Sequence, residues 1–266
     1  MSDFVAYVDE GGSGGLVFVV GSLLAKPDQW SSFIYRWQGV LAAPPAIPDF
    51  HLTERHGLSP ENYHNKIEAL IGVINTHVLR GDLIVIHADQ YKEIFSEKIG
   101  ITRDTPEFQG YITIMAQVAY YMETSDGKIE FVFDYMSDTH FLEVLEAHRK
   151  FKVICPFPAV RERFGADPIR GDDKVILPLQ AADLWVGLMR RSYEGDKAAQ
   201  RLLKKIEITD TCTVLDEPTL LKHWNRSVSQ IPDLALGLEL GAFYEGKKRR
   251  SARLATPRRL LKSAPN

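Results

Sequence analysis

Cysteine is nearly absent from this sequence: Cys155 and Cys212 are the only two in 266 residues, and they are too far apart to form a Cys-x-x-Cys pair. That spacing excludes a zinc ribbon and a disulfide framework, and leaves two buried free thiols as the expectation. Long apolar runs are missing as well. The longest, Leu16 to Ala25, is interrupted by Gly21 and Ser22 and is too short to cross a bilayer. Met1-Ser2-Asp3 has neither the basic segment nor the apolar core of a secretory leader, so the expected location is cytoplasmic. No Gly-Lys-Ser/Thr completes a phosphate loop after the glycines at 11–15, and no repeat of solenoid length occurs.

Acidic side chains are absent from the end of the chain. After Glu245 there are eight bases, from Lys247 to Lys262, against no acid. The other 24 bases face 35 acids, so the body carries a side-chain charge of about −11 and the tail about +8, within an overall −3. Residues 246–266 therefore read as a disordered basic tail. It is either an arm for phosphates or an acidic partner, or a solubilising segment that folds back on the body.

The apolar fraction of 45% and charged fraction of 25% are those of an ordinary globular chain able to bury a sizeable core. Phe4 to Val8, closed by Asp9-Glu10 and glycines, predicts a strand covered on both faces. Leu16 to Leu24 predicts an antiparallel neighbour. The same glycine turn matches Gly11-x-Ser13-x-Gly15 of serine hydrolases, but a nucleophile elbow leads into a helix, and here a strand follows. Helices are expected from Pro27, from Ser59-Pro60, from Thr105-Pro106, from Ser137 (through Phe141, Leu142, Leu145 and His148) and from Pro178. Further strands are expected at Leu83 to Ala88, at Ile129 to Asp134 and at Lys152 to Pro156. Gly165 to Asp173 reads as a surface loop. Strand, helix and strand with short links is the pattern of a parallel crossover in an α/β fold.

Three acids interrupt apolar elements: Asp9 and Asp134 at strand ends, and Asp183 inside an apolar helix, where it shares a face with Gln180. A buried carboxylate costs several kcal/mol unless it is paired, hydrogen-bonded or metal-bound. Solvated strand ends, or an Asp183–Arg190 pair, are the plainer readings. If the two strands are adjacent and parallel, however, the helix can complete an acidic pocket. Two like charges about 4 Å apart repel by roughly 4 kcal/mol at an effective dielectric near 20, so such a pocket calls for a cation. Oxygen ligands without cysteines or a histidine set favour Mg²⁺ or Mn²⁺. Arg161, Arg163 and Arg170, before the Asp183 helix, are candidates to hold a backbone phosphate, though a solvated loop explains them equally well.

The set Tyr7-Val8-Asp9-Glu10-Gly11, Asp49-Phe50-His51, Phe131-Val132-Phe133-Asp134 and Leu179-Gln180-Ala181-Ala182-Asp183-Leu184 resembles the domain-of-unknown-function 3800 family, from Phe4 to about Arg190. The resemblance implies a ribonuclease H-like α/β fold, a mixed five-stranded sheet with helices on both faces. It also implies metal-binding acids on the first strand, the fourth strand and the last helix. Residues 1–245 are then one such domain with helical additions. Asp9, Asp134 and Asp183 become the metal ligands, and Glu10 and His51 become accessory catalytic candidates. The family's Asp-Glu-Ser-Gly is replaced here by Asp9-Glu10-Gly11-Gly12, with the serine delayed to Ser13.

The expected function is divalent-metal-dependent hydrolysis of phosphodiesters in nucleic acid. The alternative is a non-catalytic module on the same scaffold that binds nucleic acid or protein, partly through residues 247–262. An aspartyl phosphotransferase would need Asp-x-Asp at the first strand, where Asp9 is followed by Glu10 and Gly11.

Overall fold

The computed structural model describes residues 2–12, 15–94, 105–122, 127–155, 157–216 and 218, all within one compact unit, Met1–Thr219. Ser13, the boundary expected at residue 245 and the basic tail lie outside the described residues.

The glycine-closed apolar runs at the start of the chain form β1 (Phe4–Gly11) and β2 (Val17–Ala25), antiparallel, with Asp9 opposite Gly21. Helices α1 (Pro27–Ala42) and α2 (Pro60–His77) follow, then β3 (Arg80–His87), antiparallel to β2. After α3 (Ala88–Lys92) and α4 (Pro106–Tyr121), β4 (Ile129–Phe133) lies parallel to β1. Next come α5 (Asp138–Ile154), α6 (Pro158–Arg161) and β5 (Ile169–Arg170), parallel to β4. Helices α7 (Leu177–Tyr193) and α8 (Lys197–Leu203) precede β6 (Thr209–Leu215), parallel to β3. The sheet order is β5-β4-β1-β2-β3-β6, a mixed α/β sheet.

Side-chain caps set the helix starts. The Ser59, Thr105 and Ser137 hydroxyls accept the N–H of Asn62, Phe108 and His140, each followed at once by the first helical turn. Strand alternation then sorts the core. Val19, Leu23, Leu83 and Val85 pack with Phe33 and Trp37 of α1, Leu70 and Ile74 of α2 and Leu184 of α7. On the other face, Tyr111 of α4 meets the Phe18 and Phe133 rings edge-on.

Among the described residues the sheet has six strands, where five were expected. β6 is an edge strand with polar side chains, tied down by Arg80 Nη2 to Thr211 Oγ1 at 2.5 Å and by Thr213 Oγ1 to Gln117 Oε1 at 2.7 Å. β5 lies in the stretch that reads as a loop. The strand expected from Lys152 is instead the last turn of α5: Val144, Ala147, His148, Phe151 and Cys155 keep helical spacing toward the core and override the β-branched pair at 153 and 154. Leu142, within the helix expected from Ser137, is 64% exposed. Cys155 is buried as expected, whereas Cys212 is exposed on β6. Among the described residues, no helix is long and apolar enough to cross a membrane.

Candidate functional site

The parallel register of β1 and β4 sets Val8 beside Phe133. One residue further on, the Asp134 N–H donates to the Val8 carbonyl at 2.9 Å. Asp9 and Asp134 thus leave two neighbouring strands side by side, at a strand spacing of about 4.8 Å. Both lie on the α1/α7 face. Two residues before Asp9, Tyr7 meets the Trp30 ring edge-on at 4.9 Å. Two residues before Asp134, Val132 lies near Gly171, just ahead of α7.

Helix α7 comes down on this edge because two positions carry no side chain. A Cβ on Gly21, opposite Asp9, would stand 2.7 Å from Val186 Cγ2 and 2.9 Å from Leu83 Cδ2. A Cβ on Gly187 would overlap the Leu52 side chain. Gly187 lies one turn from Asp183, on the same helix face, so Leu52 packs over the glycine while its N–H donates to Asp183 Oδ2 at 2.9 Å. His51 Nδ1 lies 3.0 Å from that same oxygen.

Gln180, fully buried, fixes the surroundings. Its Oε1 accepts the Trp37 Nε1–H at 2.8 Å and the Phe50 N–H at 3.3 Å, and its Nε2 donates to the Asp173 carbonyl at 3.0 Å. One amide therefore ties α1, the His51 segment and the Asp173 loop to the helix that carries Asp183. The Tyr63 hydroxyl holds the Leu52 carbonyl at 2.6 Å.

The electrostatics are those of crowded acids. Asp9 is 8% exposed. Burial first, then the charges of Asp183 and Asp134, push its carboxyl well above the usual range. Burial raises Asp134 to about 6, with Asp173 and Asp183 adding to it against opposing backbone N–H groups. Asp134 Oδ1 is buried with no hydrogen-bond partner. His51 is lifted to about 9, chiefly by its hydrogen bond to Asp183.

Asp173 is a fourth acid at this site, raised by burial and acting on both Asp134 and His51. Its only signal in the sequence is the Asp172-Asp173 pair ahead of α7, which reads as solvated turn.

Glu10 is not brought to this cluster. Alternation along β1 turns it to the α4 face, where the Tyr111 hydroxyl donates to Oε2 and His140 Nδ1 lies 3.4 Å from Oε1. Burial raises its carboxyl. Arg190 pairs at 4.0 Å with Glu194. Arg163 is buried and donates to the Ala119 carbonyl at 3.0 Å, while Arg170 donates to Asp138 and the Met136 carbonyl. Arg163 is thus committed to the interior, whereas Arg170 stays partly exposed.

Among the described residues, no three of His, Cys, Asp and Glu are gathered tightly enough to hold a metal ion. The donor chemistry still fits a hard cation: the acids here are carboxylates, Asp9 is buried among like charges, and an Asp134 oxygen is orphaned.

No protein-family model matches the chain, and no curated protein matches it. Among solved structures it is similar to the RNase HII of Archaeoglobus fulgidus, solved in complex with PCNA. The identity is 16%, over 75% of this chain and 77% of that one, with a TM-score of 0.40. It is also similar to Bst-RNase HIII in complex with Mn²⁺, at 15% identity and a TM-score of 0.40; the match takes in 76% of this chain but 62% of that one.

Proposed function

We propose that this chain is a divalent-metal-dependent phosphodiesterase acting on nucleic acid, with Asp9, Asp134 and Asp183 as the ligands of Mg²⁺ or Mn²⁺. One observation carries the reading: the β1/β4 register seats Asp9 beside Asp134 under α7, with Asp9 buried among negative charges. Stability alone gives no reason for that arrangement, since each charge disfavours the next. The resemblance of the Asp9-Glu10-Gly11 and Leu179 to Leu184 segments to the domain-of-unknown-function 3800 family agrees with it.

When bound, the metal would activate water and stabilise the leaving oxygen of a phosphodiester. The chain's own residues do the rest. Asp9 and Asp134 present oxygens from rigid strand ends, and Gln180 holds α7 and the His51 segment in register. His51 binds Asp183 through Nδ1 and is 45% exposed. It can carry a proton at the rim of the site, where a departing oxygen needs one. Asp173 adds a second negative group on the His51 side.

The test is a cleavage panel of single- and double-stranded RNA, DNA and hybrid, with Mg²⁺, Mn²⁺ or chelator. Metal-dependent cutting by the parent, lost in folded Asp9→Asn and Asp183→Asn, is the expected result. Cutting that survives both substitutions removes the assignment. A parent that cuts nothing but binds nucleic acid with a steep salt dependence and no need of metal supports the non-catalytic module instead.

A further inference from the structure

We infer that the outer face of α5 is a homodimer interface, in which α5 packs antiparallel against α5 of a second copy. Val144, Ala147 and His148 are buried on the inner face of this helix. On the outer face, Leu142 is 64% and Val153 80% exposed, and with Glu146 and Arg149 they line a groove of about 540 Å³, whose sides Leu145 and Lys150 complete. At 100° per residue these four side chains fall within about 60° of one another, a straight stripe roughly 16 Å long. The solvent face of an amphipathic helix is ordinarily polar. Here a large aliphatic side chain stands at each end.

The order along the stripe is apolar, acid, base, apolar, and it is symmetric about the point between residues 147 and 148. A two-fold axis at that level sets Leu142 against Val153 of the second copy, and Glu146 against its Arg149. Each contact then occurs twice, as an isologous interface requires. A parallel copy would oppose like with like, acid to acid and base to base. Charge complementarity therefore selects a reversed copy of the same helix. Arg149 also reaches Asp167 of its own chain at 2.6 Å and is still 65% exposed, so its guanidinium is held at the surface. A single helix pair buries an area at the low end of specific interfaces, so the association is read over a concentration series. The face lies on the α4 side of the sheet, and the inference is independent of any activity at Asp9.

Sedimentation velocity of the full chain from about 1 to 100 µM reads the equilibrium directly. The parent should pass from monomer to dimer. Glu146→Arg or Arg149→Glu alone should weaken the dimer by at least about tenfold, and the double exchange should return to within about threefold of the parent. Far-UV circular dichroism confirms that the variants stay folded, as exposed positions allow. A monomer at every concentration leaves the stripe to another occupant and overturns the inference. So does a dimer indifferent to the single reversals, or a double exchange as weak as its parts.

Discussion

His51 and Leu52 both direct an N–H or ring nitrogen at the same oxygen of Asp183, at 3.0 and 2.9 Å. Asp183 is thereby oriented from outside the helix that bears it. Its carboxylate holds His51 up near 9, so at neutral pH the ring is an imidazolium.

The first prediction concerns that pair. In the parent, the His51 ring should titrate near 9 by NMR, and in Asp183→Asn it should fall back toward about 6.5, the ordinary histidine value. Because the folded value is raised, the pair's contribution to stability is full below about 6.5 and is lost as the pH climbs through about 9. Solvent screens this half-exposed ring, so the contribution should be about 1 kcal/mol. A parent His51 titrating at 6.5 would show that the contact does not form.

The second concerns metal. Asp9 and Asp134 resist ionisation where they stand, and a cation reverses the sign of their interaction. In chelator, Asp9→Asn should melt higher than the parent, by an amount set by about 1 kcal/mol of relieved repulsion. In millimolar Mn²⁺ the order should invert, because only the parent gains binding free energy. Equal metal shifts in both proteins would take Asp9 out of the ligand set.

The parts of this structure that were legible in the sequence are those where one signal had no competitor. Hydroxyl-then-proline at 59–60 and 105–106 marked two helix starts, and the apolar runs ending at Asp9 and His87 marked strands. Asp183 stood out because a charge inside the apolar run Leu179 to Leu188 calls for a partner, and the partners it meets are His51 and the Leu52 N–H. β6 was not legible, because Thr209, Asp210 and Thr211 are polar, and it is the Arg80 and Gln117 side chains that hold the strand to the sheet edge. Asp173 was hidden among Arg170, Asp172 and Lys174, a composition that signals solvent until Gln180 is seen to hold its carbonyl. The family resemblance makes Glu10 an accessory to the site of Asp9; with β1 extended through Gly11, alternation sends the two to opposite faces.

The third prediction tests Gln180. Gln180→Leu keeps the volume but strands the Trp37 Nε1–H, the Phe50 N–H and the Asp173 carbonyl in the interior. Each buried unpaired group costs about 1 to 3 kcal/mol, so the expected loss is at least about 3 kcal/mol by urea unfolding. Gln180→Glu should recover part of it, since a carboxylate can still accept from Trp37 and Phe50. If leucine were tolerated without loss, Gln180 would not be the tie between α1 and the site.

The fourth turns on His148, fully buried against Phe164, with ring centroids 5.2 Å apart. Both ring nitrogens lack a hydrogen bond, and Asp167 Oδ1 stands off at 3.6 Å. Burial, then Lys152, lowers the ring to about 4. Between about 6.5 and 4 the unfolded chain takes a proton that the folded chain refuses, so this residue's share of stability is full above 6.5 and drains away as the pH falls toward 4. By pH 5 the deficit reaches about 2 kcal/mol. Asp9 and Asp134, with raised carboxyls, bend the profile the other way, so the informative quantity is the difference between the parent and His148→Phe. That variant keeps an aromatic ring on Phe164 and removes both unpaired nitrogens. It should match or exceed the parent at pH 8 and lead it by about 2 kcal/mol at pH 5. A gap that does not widen on acidification would mean that His148 is protonated in the folded chain, with Asp167 close enough to pair.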